Sequence, residues 1–348
     1  MASKKYIVAG GVKIGGGAPV TVQSMTNTKT ENVEATVEQI KKFQAAGCDI
    51  ARVAVPTMEA ARAIAKIKEQ ISIPLVADIH FDYKLALESA AAGADKIRIN
   101  PGNIGSEDRV KLVADDCRRR GIPIRIGVNG GSLEKEILAK YGRVTPEAML
   151  ESAMGHVRLL NKFDFDDICI SVKASDVPLT VAAYRLLSEK TDYPLHLGVT
   201  EAGTEYMGII KSAAGIGSLL LDGIGDTIRV SLTASPEREV PAGIAILKSV
   251  GLRREGIRFV SCPTCGRTNI DLIPIANEVE ERLKGCKQDI TVAVMGCAVN
   301  GPGEASAADF GIAGGKGEGL LFAKGKIIKK VPMDRLVDEL VRLVEENQ

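Results

Sequence analysis

The stretch Ile124-Arg125-Ile126-Gly127-Val128-Asn129 decides the fold. Side chains on a strand alternate sides, so Ile124, Ile126 and Val128 share one face and oppose Arg125 and Asn129. Parallel strands are normally apolar on both faces. The same half-polar pattern returns along the chain. Arg52 opposes Val53 and Val55, and Arg98 opposes Ile97 and Ile99. Ser171, Lys173 and Ser175 oppose Ile168, Ile170 and Val172, while Arg229 and Ser231 oppose Ile228, Val230 and Leu232. Each greasy face needs helices against it, so the polar faces must converge on a common interior.

Outward from these strands, short β-rich runs alternate with amphipathic helical stretches. Strands are expected at Val20–Met25, Ile50–Val55, Leu75–Ile79, Lys96–Asn100, Ile122–Val128, Asp167–Lys173, Leu195–Thr200 and Thr227–Leu232. Helices are expected between them, for example Val33–Ala46, Met58–Glu69, Asp108–Arg119 and Pro146–Leu160. Eight such units make an α/β fold with the arithmetic of a (β/α)8 TIM barrel, with a doubly wound open sheet as the rival. Tyr6–Val8 and Val12–Ile14, joined by Gly10-Gly11, read as a small hairpin plugging the barrel bottom. The texture changes after Gly251, where Arg253-Arg254-Glu255-Gly256 reads as a linker. The expected organisation is a barrel over 1–252 and a small α+β domain over 256–348.

Composition narrows the function. Hydrophobic residues make up 45% of the 348, enough for full globular cores. Lys plus Arg (45) balances Asp plus Glu (44), which argues against a nucleic-acid or membrane-surface binder. Aromatics are 4% and Trp is absent, which removes stacking platforms for single strands. No apolar run approaches the ~18 residues of a membrane span, and no apolar region follows the basic N-terminus. Seven cysteines, unevenly placed, then suggest reduced thiols and a metal site in a cytoplasmic protein.

The alternation places Arg52, Arg98, Arg125, Lys173 and Arg229 around one lumen. Unpaired buried charges cost several kcal/mol each. The acids in view are Asp78 and Glu201, too few to match. An anion of two or more charges would complete the site, and guanidinium forks suit phosphate oxygens. Barrel active sites lie at the C-terminal strand ends. Asn100, Asn129, Ser231, Gln23 and His80 would add neutral hydrogen bonds there. Glu201, just beyond a strand end, is the acid–base candidate, with a counter-ion role as the alternative. His80 and His196 sit at or near strand ends, and His156 sits in a helix.

Cys262-Pro263-Thr264-Cys265 brings two thiolates onto one metal, and alone is open between zinc, a redox disulfide and iron–sulfur. A third thiolate must come from Cys286 or Cys297, which flank the expected strand Ile290–Met295. At about 3.3 Å per residue some 20 Å separates them, so both cannot ligate one ion. Cys297 opens the Gly/Pro-rich run ending at Glu304. An oxygen ligand such as Glu304 on a fourth iron would be exchangeable and admit substrate, although spacing alone reads Glu304 as a solvated loop acid.

These motifs resemble the 4-hydroxy-3-methylbut-2-enyl diphosphate synthase family. Cys262-Pro263-Thr264-Cys265-Gly266-Arg267 and Val294-Met295-Gly296-Cys297-Ala298-Val299-Asn300-Gly301-Pro302-Gly303-Glu304 carry the resemblance in the second domain. Val22-Gln23-Ser24-Met25-Thr26-Asn27-Thr28, Arg98-Ile99-Asn100-Pro101-Gly102, His196–Gly203 and Gly223–Ser231 carry it in the barrel. The resemblance implies an iron–sulfur oxidoreductase with a [4Fe–4S] cluster on Cys262, Cys265, Cys297 and Glu304. The substrate it implies is 2-C-methyl-D-erythritol 2,4-cyclodiphosphate. Arg52, Arg98, Arg125, Asn129, Lys173, Arg229 and Ser231 would hold the diphosphate, and Glu201 and Glu304 would serve catalysis. It further implies a flavodoxin or ferredoxin donor and a head-to-tail homodimer, in which each cluster domain covers the partner's barrel mouth. The chain path agrees, because the eighth helix returns the chain to the barrel bottom before the second domain starts. No Gly-rich dinucleotide fingerprint is visible, which argues against direct nicotinamide use. The alternatives are an iron–sulfur redox sensor binding a phosphorylated metabolite, and a zinc-stapled barrel acting as a lyase or transferase.

Overall fold

The computed structural model describes residues 3–297, 303 and 305–347. The chain divides into two compact units, Met1–Leu252 and Arg253–Gln348.

The first unit opens with a hairpin, β1 (Tyr6–Ala9) antiparallel to β2 (Val12–Gly15). Eight parallel strands follow: β3 (Thr21–Met25), β4 (Ile50–Ala54), β5 (Leu75–Asp78), β6 (Lys96–Ile99), β7 (Ile124–Asn129), β8 (Ile168–Lys173), β9 (His196–Leu197) and β10 (Thr227–Ile228). Each strand pairs with its neighbours in sequence, and β10 pairs with β3. A parallel bridge from Ile170 to Leu195 closes the ring between β8 and β9. The result is the (β/α)8 barrel, and an open doubly wound sheet is excluded.

Helices begin where the sequence offers caps. Thr57, Asp82, Thr145 and Asp176 each accept a hydrogen bond from the first turn of the helix that follows. Ile97, Ile99, Ile124, Ile126, Val128, Ile168, Ile170 and Val172 share one core with helical Val110, Val113, Val157, Leu160 and Leu187. The greasy strand faces therefore point outward and the polar faces inward. The hairpin buries Ile7, Ala9 and Ile14 against Ile50, Val76 and Cys169, inward residues near the strand starts. That plug leaves the C-terminal strand ends as the open mouth. The last two strands are shorter than their apolar runs suggested, two residues each. Their backbones continue past the ladder as polar-bearing segments, with Arg229 N–H still bonded to Leu197 O.

The second unit is a five-stranded mixed sheet in chain order: β11 (Ile257–Ser261), β12 (Ile290–Met295), β13 (Phe310–Ala313), β14 (Glu318–Ala323) and β15 (Lys326–Pro332). The first three are parallel and the last two antiparallel. Helices Leu272–Arg282 and Leu336–Glu345 cover one face through Leu272, Val279, Leu336, Leu340 and Val344. A smaller cluster of Ala293, Met295, Ala305, Ala308, Ala313 and Phe322 fills the other. No helix among the described residues is long and apolar enough to cross a membrane.

Candidate active site

The barrel mouth encloses a cavity of about 140 Å³ lined by Arg52, Asp78, His80, Arg98, Arg125, Asn129, Ser171, Lys173, Thr200, Arg229 and Ser231. All seven residues expected to hold an anion line it. The register explains the convergence: Asp78 pairs with Arg98 on the next strand, and Arg98 with Arg125 on the next. Asn129 likewise stands beside Lys173. Neighbouring parallel strands thus stack inward polar residues in slanted rows.

Two carboxylates serve five cations. Asp78 meets Arg98 Nη1 at 3.1 Å and Arg52 Nε at 3.8 Å. Glu239, at the head of the eighth helix (Glu239–Ser249), accepts from Arg229 Nε at 3.2 Å and Nη2 at 3.3 Å. It also accepts from Ser24 Oγ and Leu232 N–H. Arg52 Nε lies 3.0 Å from the Met25 sulfur. Arg125 is 1% exposed, and its Nε and Nη1 have no partner among the described residues. Lys173 makes no ion pair with any described residue.

The protonation energetics follow from that imbalance. Burial opposes charge on Asp78, yet Arg52, a His80 hydrogen bond, Arg98 and Arg125 hold its carboxyl well below the usual range. Burial, reinforced by Arg125, Arg52, Arg229 and Arg98, drives the Lys173 ammonium well below the ordinary lysine value. Arg125 falls to about 10 through burial and then Arg98. Each unbalanced cation is favoured by an incoming anion.

Several placements depart from the sequence reading. Glu201 is exposed, has a left-handed φ of 52°, and lines a neighbouring cavity with Asn129, Ser175 and Thr200. It is therefore not a counter-ion inside the lumen, and that part of the charge count is corrected. The second acid is Glu239, which the sequence reading missed because a helix-start glutamate gives no signal of pointing back into a barrel. Lys96 was missed too. It shares the inward face of Arg98, its Nζ is buried without a partner among the described residues, and burial brings it to about 8. His196 is fully buried below the mouth, uncharged through burial and the surrounding cations. His80 stands at the rim, 3.5 Å from Asp78. His156 is structural, with its Nε2 2.7 Å from Glu134.

In the second unit, Cys262 follows β11 and Cys297 follows the neighbouring parallel strand β12, so both emerge at the same sheet end. Gly296 N–H donates to Cys262 Sγ at 3.1 Å, tying the two loops together. Cys265 is exposed, and the Arg267 backbone N–H, the Arg267 side chain and Thr268 lower its thiol. Cys286 packs against the core ahead of β12, at the opposite strand end. Glu304 lies outside the described residues. Among the described residues, no group of three His, Cys, Asp or Glu side chains already stands around one point. The donor set nonetheless fits an iron–sulfur cluster, with soft thiols on adjacent loops and backbone N–H groups aimed at sulfur.

A barrel with an over-charged cationic mouth, followed by a small domain that carries Cys262, Cys265 and Cys297 on its loops, defines the class as a two-domain TIM-barrel enzyme built for an anionic substrate. The model for the "GcpE TIM-barrel domain" matches residues 4–244, and that for the "GcpE protein C-terminal domain" matches 258–346. The chain belongs to the GcpE family, that of the 4-hydroxy-3-methylbut-2-en-1-yl diphosphate synthases. The relative named 4-hydroxy-3-methylbut-2-en-1-yl diphosphate synthase (flavodoxin) from Clostridium perfringens is 61% identical, over 98% of each chain. That from Caldanaerobacter subterraneus is 62% identical, over 98% of this chain and 96% of the relative. That from Geobacter sulfurreducens is 59% identical, over 99% and 98%. Among solved structures, the dihydropteroate synthase of Yersinia pestis covers 71% of this chain and 98% of its own at TM-score 0.51 and 14% identity. That likeness shows the barrel fold alone. A metabolite-binding sensor draws no support from these relatives.

Proposed function

We propose that this chain reductively opens and dehydrates 2-C-methyl-D-erythritol 2,4-cyclodiphosphate to 4-hydroxy-3-methylbut-2-enyl diphosphate, with its barrel lumen as the diphosphate site. The observation that carries the reading is that five cations line the mouth, with Lys96 buried below them, against two carboxylates among the described residues. The balance is two electrons and two protons in, one water out, with cleavage of one carbon–oxygen bond to phosphate. Arg52 and Arg98, fixed by Asp78, and Arg229, fixed by Glu239, are pre-oriented donors. Arg125 and Lys173 are the open valences that meet the anion. Together they stabilise the phosphate oxygen that gains charge as the ring opens. Asn129 and Ser231 orient the same group, and Glu201, which lines the adjacent cavity, moves a proton at the carbon skeleton.

Cys262, Cys265 and Cys297, with Glu304 as fourth ligand, would hold a [4Fe–4S] cluster that supplies the electrons. The donor is a flavodoxin, as the relatives' name states for them, or a ferredoxin, and the setting is the cytoplasm. The assembly is a head-to-tail homodimer with composite sites. Anaerobic protein should contain about four iron and four sulfide per chain and turn over the cyclic diphosphate with a reduced carrier. Stoichiometric zinc without sulfide overturns the reading. Mixing inactive Cys297→Ser and Arg125→Ala chains should restore up to half the sites of a mixed dimer. No recovery despite proven exchange rejects the composite site.

A further inference from the structure

We infer that Gly127 and Gly198 are positioning residues, glycines kept so that Arg98 and Lys173 can cross the lumen to the anion site. The inference rests on the diphosphate reading and adds what sets its geometry. Gly127 lies on the inward face of β7, between Arg125 and Asn129. A Cβ there would sit 2.4 Å from Arg98 Nε and 2.7 Å from its Nη2. Arg98 lies across this gap, donating from Nη2 to Gly127 O at 3.3 Å and from Nη1 to Asp78 Oδ1 at 3.1 Å. Gly198, just past β9, does the same for Lys173: a Cβ would sit 2.6 Å from Nζ and 2.9 Å from Arg229 O.

Neither glycine is among those with a positive φ. Backbone freedom, the usual reason for glycine, therefore does not explain either one. The remaining reason is volume. The two positions are inward steps of the alternation that carry no side chain, and each empty step is filled by a long cation from a neighbouring strand. The two differ in what a methyl would meet. At Gly127 the obstacle is the movable end of Arg98, so alanine should displace the guanidinium without unfolding the barrel. At Gly198 the backbone of Arg229 is also in the way, so alanine there should cost stability as well.

The test uses the full chain and inorganic pyrophosphate, titrated by calorimetry beside thermal melts. Wild type should bind. Gly127→Ala should keep its melting temperature and lose about 10- to 100-fold in pyrophosphate affinity, the worth of one charge-assisted contact. In turnover it should raise KM for the cyclic diphosphate more than it lowers kcat. Arg98→Ala should lose as much, and the double variant no more than either, because one contact is removed once. Gly155→Ala, whose added methyl meets nothing nearer than 3.9 Å, is the control and should bind as wild type. If wild type fails to bind pyrophosphate, the diphosphate reading itself falls. If wild type binds and Gly127→Ala binds equally well, the positioning role is overturned. If Gly127→Ala does not fold, Gly127→Ala with Arg98→Ala decides: recovery of folding supports the clash, and continued unfolding overturns it.

Discussion

The two units handle a hard electrostatic problem in opposite ways. The barrel builds its site from strand residues locked by ladder hydrogen bonds, and gathers more cations than carboxylates among its described residues. The second unit offers thiols on loops beyond its strand ends, one of them exposed, with no closed ligand set among the described residues. The first is a preorganised site whose fold bears the charge repulsion. Under the proposed cluster, the second would reach its final geometry only with the group it binds, since metal binding and local folding are coupled. Removing a residue should therefore cost function in both units but stability in different ways.

The largest effect should come from the loops. Replacing Cys262, Cys265 or Cys297 by Ser should abolish iron–sulfur content and activity, while Cys286→Ser keeps both. Iron and sulfide assay with visible spectra is the readout, and a Cys297→Ser protein with full cluster content would break the contrast. In the barrel, Asp78→Asn should destabilise the ligand-free protein by about 3–5 kcal/mol, because it strands Arg52 and Arg98. Asp78's lowered pKa means its stabilisation is present above the unfolded carboxylate value, about 4, and fades only as pH falls further. Urea melts from pH 7 downward should show the wild type losing this advantage in acid, and the variant lacking that decline.

Lys96→Met tests the surplus from the other side. With a folded pKa of about 8 against about 10.4 unfolded, the unfolded chain binds more protons between those values. Wild-type stability should therefore rise with pH through that window. The variant should gain up to about 3 kcal/mol at pH 7 and flatten the rise. A less stable variant would mean that Lys96 has a native partner. Arg125→Met should be the mildest, weakening pyrophosphate by roughly 1.5–3 kcal/mol while ligand-free stability holds or rises. A large loss of stability with unchanged binding would recast the lumen as a structural charge network.

The barrel was legible because period-2 alternation is local. Ile97-Arg98-Ile99 and Ile124-Arg125-Ile126 state which face is wet before any strand is paired. The cysteine spacing was legible for the same reason, since Cys262 and Cys265 are bound by one turn and Cys286 is separated from Cys297 by a strand's length. Glu239 was not legible, because a helix-first glutamate usually faces solvent, and only the path of the loop after β10 turns it back onto Arg229, ten residues earlier. The counter-ion alternative for Glu201 failed for the converse reason, as its loop turns through a left-handed residue and carries the side chain to the exposed rim.

What the sequence determined by itself is therefore the inventory and the faces: eight half-polar strands, five inward cations and three well-spaced thiols. What only the tertiary structure decided is which cation meets which acid, and which glycine makes room for which guanidinium. Alternation depends on the chain's own backbone, whereas those pairings depend on the shear between strands many residues apart, which no local pattern encodes.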